Sequence, residues 1–224
     1  MEPETIEGLQ QAAVVYGLDS QPSKEEISKA IHQIKPAKAP GSGGIPTEVL
    51  KVAEPVHLNR ILPLFQQIWK TEKLPKDFKD APITTIYKKG ERSDCNNYRG
   101  ISLLAIAGKI SARFLLNRMV KHIADPNLFE SQTGFRANPG TTDCIFIARQ
   151  LQEKCKKQKC HLYAVFFDLT KAFDTVNREA LSALLEKLSC TAKFVSIIRA
   201  FHDCMCARVS AGVNCQTRLT LQTE

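Results

Sequence analysis

The chain has 224 residues, 43% of them hydrophobic, which is enough for one larger domain or two small ones with a real core. Its net charge of +8 favours polyanionic partners, nucleic acid first, and says nothing about fold. No apolar run approaches the roughly 18 residues of a membrane span, and the acidic start MEPETIEGLQ lacks a signal-like apolar core, so no membrane partner is expected and the protein reads as intracellular, nucleus or cytoplasm left open.

In chain order, residues 4–18 suit a weakly amphipathic helix through Ile6, Leu9, Ala13 and Val14. Ser23 opens a second helix, with Glu26 three residues on completing a capping box. Ile27, Ala30, Ile31 and Ile34 give it an apolar face, and Pro36 ends it. Residues 35–46, KPAKAPGSGGIP, form a loop, since three prolines and three glycines cannot continue a helix or a paired strand. Lys35 and Lys38 suit a phosphate backbone, although a solvated linker is the reading its composition favours. Residues 47–71 are helical in pattern and bent near Pro55 and Pro63. Ile61, Leu62, Leu64, Phe65, Ile68 and Trp69 mark the buried face, with Trp69 read as core rather than as a base-stacking platform.

Residues 81–89 and 98–104 read as two strands joined by a charged turn, a projecting hairpin carrying Lys88, Lys89, Arg92 and Arg99. Cations on such an arm suit a triphosphate or a nucleic-acid strand; a solvated charged hairpin has the same pattern. A strong helix follows over 105–124, apolar at Ile106, Ile110, Phe114, Leu115 and Met119, and basic at Lys109, Arg113, Arg118 and Lys121. Residues 125–140 are irregular. Another helix runs from Thr141 to about Gln158 and ends in a basic run that suits its dipole.

The short apolar run Leu162–Phe167 then predicts a buried strand, with Asp168 pushed to the rim of a sheet, where open α/β sites hold ligands or metals. An ordinary turn aspartate fits the same spacing. Asn177 caps a helix through Leu188, with Val176, Leu181, Leu184, Leu185 and Leu188 on one side. A further helix covers 192–203, and residues 206–211 and 216–221 pair as a hairpin around Gly212 and Asn214. The eight cysteines are scattered without a CxxC pair, so no disulfide framework is expected. His202, Cys204 and Cys206 are the only local cluster, and they lack an evident fourth zinc ligand.

The stretches APGSGGIPTEVLK, LPKDFKDAPITTIYKKG, NNYRGISLLAIAGKISARFLLNRM, ESQTGFRANPGTTD and AVFFDLTKAFDTVNREAL occur in this order. Together, from about residue 22 onward, they resemble the amino-terminal half of the reverse transcriptase domain of LINE-type (non-LTR) retrotransposons. The resemblance implies an α+β, right-hand polymerase-like fold: 1–75 a helical extension of the fingers, 76–158 the fingers, and 159–224 an incomplete palm. It implies RNA-directed DNA synthesis, with an RNA template, a DNA primer and deoxynucleoside triphosphates as partners. The cofactor would be Mg²⁺, or Mn²⁺ in its place, as two ions about 3.5–4 Å apart.

By the same resemblance, Asp168 matches the first metal-binding aspartate, and the backbone carbonyl of Leu169 is a second metal contact. Phe173 matches an aromatic gate that leaves no room for a 2′-hydroxyl. Lys88 or Lys89, with Arg99, matches the residues that grip the triphosphate, Arg in bidentate fashion and Lys as a point charge. Asp174 has a supporting role. Two departures stand out. Gly43 lies where such sequences commonly carry an acidic residue, and no two aspartates are adjacent anywhere in the 224 residues. Two-metal sites need shared carboxylates, so the expectation is a truncated reverse transcriptase, inactive alone, with exposed apolar surface and poor solubility. The alternatives are a non-catalytic nucleic-acid-binding remnant and, more remotely, a helical interaction module.

Overall fold

Capping and amphipathic spacing settle the helices before any long-range contact does. In the computed structural model, residues 6–52, 54–124, 128, 129, 131–136, 140–211 and 215–220 are described, the backbone alone at 124, 210, 211 and 215–220. The hydroxyl of Ser23 accepts from the Glu26 N–H, and the Glu26 carboxylate accepts from the Ser23 N–H, so α1 (Lys24–Gln33) starts on a complete capping box. After the loop come α2 (Thr47–Val52) and α3 (Glu54–Thr71). Pro55 sits in the first turn of α3, where a missing N–H costs nothing, and the helix continues through Pro63. A single turn, α4 (Lys76–Lys79), leads into β1 (Ala81–Tyr87), which pairs antiparallel with β2 (Tyr98–Ser102). Next are α5 (Ile106–Met119), which closes in a wide π turn over Val120–Ala124, α6 (Thr141–Lys157), α7 (Arg178–Lys187), α8 (Ala192–His202), β3 (Cys206–Ala211) and β4 (Cys215–Thr220).

The chain divides into two compact units, one of residues 1–123 with 177–224, the other of residues 124–176. In the first, the hydrophobic core is built from helix and turn residues, and no described strand residue belongs to it. Trp69 is 2% exposed and packs edge-on against Phe114 and Phe194, at centroid distances of 5.7 and 6.3 Å. Leu18, Ile27, Ile31, Ile110 and Val195 fill the space around it. The sheet runs in the order β2-β1-β3-β4. β1 and β3 are parallel, Ala81 facing Ala207, although more than a hundred residues separate them in sequence. Two side chains on the α4–β1 link hold this register. Lys79 donates to the end carbonyls of α8 at Ala200 and Asp203, and Asp80 accepts from the Cys206 N–H at 2.9 Å.

Several expectations need correction. Within residues 6–18 there is only a single turn at the start, and a 3₁₀ turn covers Tyr16–Asp19. The intervening backbone instead serves the free end of α7: Ala12 N–H donates to Lys187 O and Val15 N–H to Ser189 O. The loop of residues 35–46 is exposed but not a free linker. Gly41 lies so close to Leu104 that an added Cβ would sit 2.3 Å from its carbonyl oxygen, and Lys109 Nζ donates to Ala39 O. Arg118 is not part of a basic face. It is 4% exposed and lies between the Trp69 and Phe114 rings. The proposed turn at Gly212 and Asn214, and Leu221, lie outside the described residues. No helix among the described residues is long and apolar enough to cross a membrane.

Candidate functional site

The two groups of residues singled out by sequence fall in different units, Lys88, Lys89 and Arg99 in the first and Asp168, Leu169 and Phe173 in the second.

The cationic group sits on the β1–β2 hairpin. β-Branched and aromatic residues at 83–87 form the strand, and the turn begins at Gly90, whose φ of +96° suits glycine. The tip is braced from within. Asn97 Nδ2 donates to Glu91 O, Tyr98 OH donates to Arg92 O, Tyr87 OH donates to Gly90 O, and Asp94 caps a 3₁₀ turn at Cys95–Asn97 by accepting from the Asn96 N–H. Tyr87 and Tyr98 face each other in register with rings 5.6 Å apart, and the Arg92 guanidinium lies 5.4 Å from the Tyr87 ring centre. Arg92 is therefore engaged in the brace.

Register then sorts the remaining cations. Ile86 pairs with Arg99, and the Lys88 N–H continues the ladder to Asn97 O at 2.8 Å. Directly opposed residues share a face, as do residues two apart on one strand. Lys88 and Arg99 thus lie on one face of the hairpin, and Lys89 follows in the bend beyond the paired residues. All three are exposed, and among the described residues none forms an ion pair with a carboxylate. Two unneutralised cations on one face of a rigid arm can hold a polyphosphate.

In the second unit the expected strand is absent. Residues 161–169 have no regular secondary structure, and Val165, Phe166 and Phe167 are 75%, 92% and 88% exposed. A strand needs a neighbour for its N–H and C=O groups, and the four-stranded sheet does not include this run. High β-propensity alone does not order it. Asp168 accordingly sits on an exposed segment without regular structure, not at a sheet rim, and Leu169 is 75% exposed. A turn follows, closed by the Asp174 and Thr175 N–H groups on Lys171 O. Its Phe173 is 80% exposed and meets Phe135 edge-on at 5.9 Å. Phe135 lies in the ESQTGFRANPGTTD stretch, but nothing in the sequence pairs it with Phe173, because two irregular loops meet only once folded. Asn177 caps α7 as expected, its Oδ1 accepting from Ala180 N–H at 2.9 Å.

Asp168 supplies one hard oxygen donor of the kind Mg²⁺ takes. Among the described residues no three His, Cys, Asp or Glu side chains converge on a common point. The donors beside Asp168 therefore do not by themselves fit a Mg²⁺ ion, which takes six ligands in near-octahedral geometry.

Comparison with known proteins places these residues in context. Residues 86–222 match the family described as reverse transcriptase (RNA-dependent DNA polymerase). The chain is 30% identical over 184 residues to a probable RNA-directed DNA polymerase from transposon BS of Drosophila melanogaster, covering 80% of this chain and 20% of that protein. It is 28% identical over 155 residues to the RNA-directed DNA polymerase from mobile element jockey of the same species, covering 68% of this chain and 17% of the relative. An uncharacterised 149 kDa protein of transposon TX1 from Xenopus laevis is 25% identical over 184 residues, 80% of this chain and 14% of that protein. The chain thus spans a fifth or less of the length of these curated relatives.

Proposed function

Because the chain belongs to the reverse transcriptase (RNA-dependent DNA polymerase) family, homologous to the polymerases of non-LTR retrotransposons, we propose that it grips nucleotide and nucleic-acid phosphates and does not polymerise by itself. The reaction of the whole enzyme is template-directed addition of deoxynucleotides to a primer 3′-hydroxyl, with an RNA template, a DNA primer and deoxynucleoside triphosphates as partners. In this reading residues 76–158 are fingers, 159–224 the first part of the palm, and 1–75 a helical extension.

The observation that carries the proposal is the unpaired Lys88 and Arg99 on one face of a braced hairpin, with Lys88, Arg99, Asp168 and Phe173 all inside the matched span. Lys88 and Arg99 hold the triphosphate, with Lys89, in the bend beyond the paired strands, contributing less. Phe173, exposed at a turn five residues past Asp168, is the sugar gate, since a ring against C2′ leaves no room for a hydroxyl. Asp168 and the Leu169 carbonyl would supply only the first contacts for the divalent metal that the family uses, and further carboxylates would be needed to complete its coordination. These 224 residues hold no adjacent aspartates, and a two-metal displacement requires shared carboxylates. No catalytic step is therefore assigned to this chain alone.

Primer extension on an RNA template with Mg²⁺ or Mn²⁺ tests this directly. The expected result is no incorporation by the 224-residue chain. Robust incorporation that vanishes with Asp168→Ala would overturn the assignment. A second reading, a binding remnant without any nucleotide site, rests on the +8 charge. It is favoured if an RNA–DNA hybrid binds while deoxynucleoside triphosphates do not compete.

A further inference from the structure

Two thiols meet at the end of α6. The helix closes in a Schellman motif, with the Cys160 N–H donating to Cys155 O at 3.0 Å and the Lys159 N–H to Lys156 O at 3.3 Å. Lys159, at φ 53°, occupies the left-handed position that such a motif requires. The motif brings the side chains three residues before the cap and two after it into contact, and both of these are cysteines. Cys160 Sγ lies 3.6 Å from Cys155 O. Cys155 is partly buried and Cys160 exposed, both as free thiols. A side-chain hydrogen bond with Cys160, favouring the neutral thiol, holds Cys155 above its ordinary range. Lys154, Lys156, Lys157 and Lys159 flank the pair in sequence.

We infer that Cys155 and Cys160 form a thiol–disulfide switch that takes low-molecular-weight disulfides as its oxidant. A disulfide needs Cα atoms about 4.4–6.8 Å apart with facing Cβ vectors, and the closed turn supplies the facing pair. Cys160, the more exposed, attacks first: its thiolate forms a bond to one sulfur of oxidised glutathione and releases one glutathione thiolate. The Cys155 thiolate then attacks the Cys160 sulfur and displaces the second glutathione. Two protein thiols and one glutathione disulfide become one protein disulfide and two glutathione thiols, with protons and electrons balanced. The link would tether the start of the exposed stretch leading to Asp168 to the end of α6. This inference is independent of the polymerase reading.

The test exposes the folded chain to oxidised glutathione, quenches with an alkylating reagent, and maps all cysteine pairings by mass spectrometry. The 155–160 link should exceed any other pairing roughly tenfold, because a tethered thiol acts at millimolar effective concentration. Buried Cys190, its thiol pushed up to about 11 by burial, serves as an unreactive internal control. Trypsin cutting after Lys156, Lys157 or Lys159 should then leave fragments that separate only on reduction. Cys155→Ser should trap glutathione on Cys160 as a stable adduct, and Cys160→Ser should slow uptake at position 155. A dominant Cys204–Cys206 link, or glutathione adducts on Cys95 and Cys144 without a 155–160 link, would overturn the inference, as would loss of the Cys160 adduct in Cys155→Ser.

Discussion

Arg118 shows how much one side chain can organise. Its Nε and Nη2 donate to both carboxylate oxygens of Glu26 at 2.8 and 2.7 Å, and its other N–H groups reach the carbonyls of Leu18, Ser20 and Gln21. With the Trp69 Nε1–H on Asp19 O, these bonds fasten residues 18–26 onto α3 and α5. A planar fork between two rings does this; a lysine ammonium cannot. Glu26→Gln should lower stability by about 2–3 kcal/mol, since it weakens the pairing of a buried charge. Arg118→Leu should cost more, leaving three carbonyls without their donor. Urea unfolding at neutral pH checks both. Burial pushes the Glu26 carboxyl up, but the Arg118 hydrogen bond and the Ser23 N–H outweigh it and hold the group below its ordinary value. The sign follows from linkage: the carboxylate contributes stability above its unfolded value of about 4.3, and that contribution is lost as pH falls through the lower folded value. The urea midpoint should therefore drop over that acid window in the wild-type chain and drop less in Glu26→Gln.

At the scale of elements, close approach decides what the helices tolerate. α5 passes α4 so tightly that a Cβ on Gly108 would lie 2.2 Å from Phe78 O. Alanine improves helix propensity by about 1 kcal/mol, whereas forcing two backbones apart costs about 1–3 kcal/mol. Gly108→Ala should therefore destabilise, and a raised melting temperature would refute the close packing. The same reasoning explains the run from Leu162 to Phe167. Its residues are good strand formers, yet among the described residues no strand is paired with it. Intrinsic preference without a neighbour leaves aromatic side chains facing water, the pattern expected of a surface covered by something else.

For the molecule as a whole, charge gives the sharpest expectation. Each phosphate contact made by a cation contributes about 0.7–0.9 to the slope of log affinity against log salt. Lys88→Ala with Arg99→Ala should lower the slope for an RNA–DNA hybrid by about 1.4–1.8, and Lys89→Ala should change it less, because it lies in the bend beyond the paired strands. Equal effects from all three would contradict the register argument. The hairpin that presents these residues is joined through β1 to β3 and β4, so segments far apart in sequence support one arm.

The helices at 24–33, 106–119, 141–157, 178–187 and 192–202, the capping box at Ser23, the cap at Asn177 and the hairpin of residues 81–102 were legible in the sequence. Each depends on spacing and on residues within a few positions of one another. The family was legible for a related reason, since its motifs are local and their order is preserved in the chain. Tertiary structure alone decided the parallel pairing of β1 with β3, the burial of Arg118, the unwound backbone of residues 10–15 against α7, and the unpaired state of the stretch ending at Asp168. In the first three the partner lies tens of residues away and in the last no partner strand is present among the described residues, so whether a strand, a cation or a helix end is satisfied depends on which distant group arrives beside it.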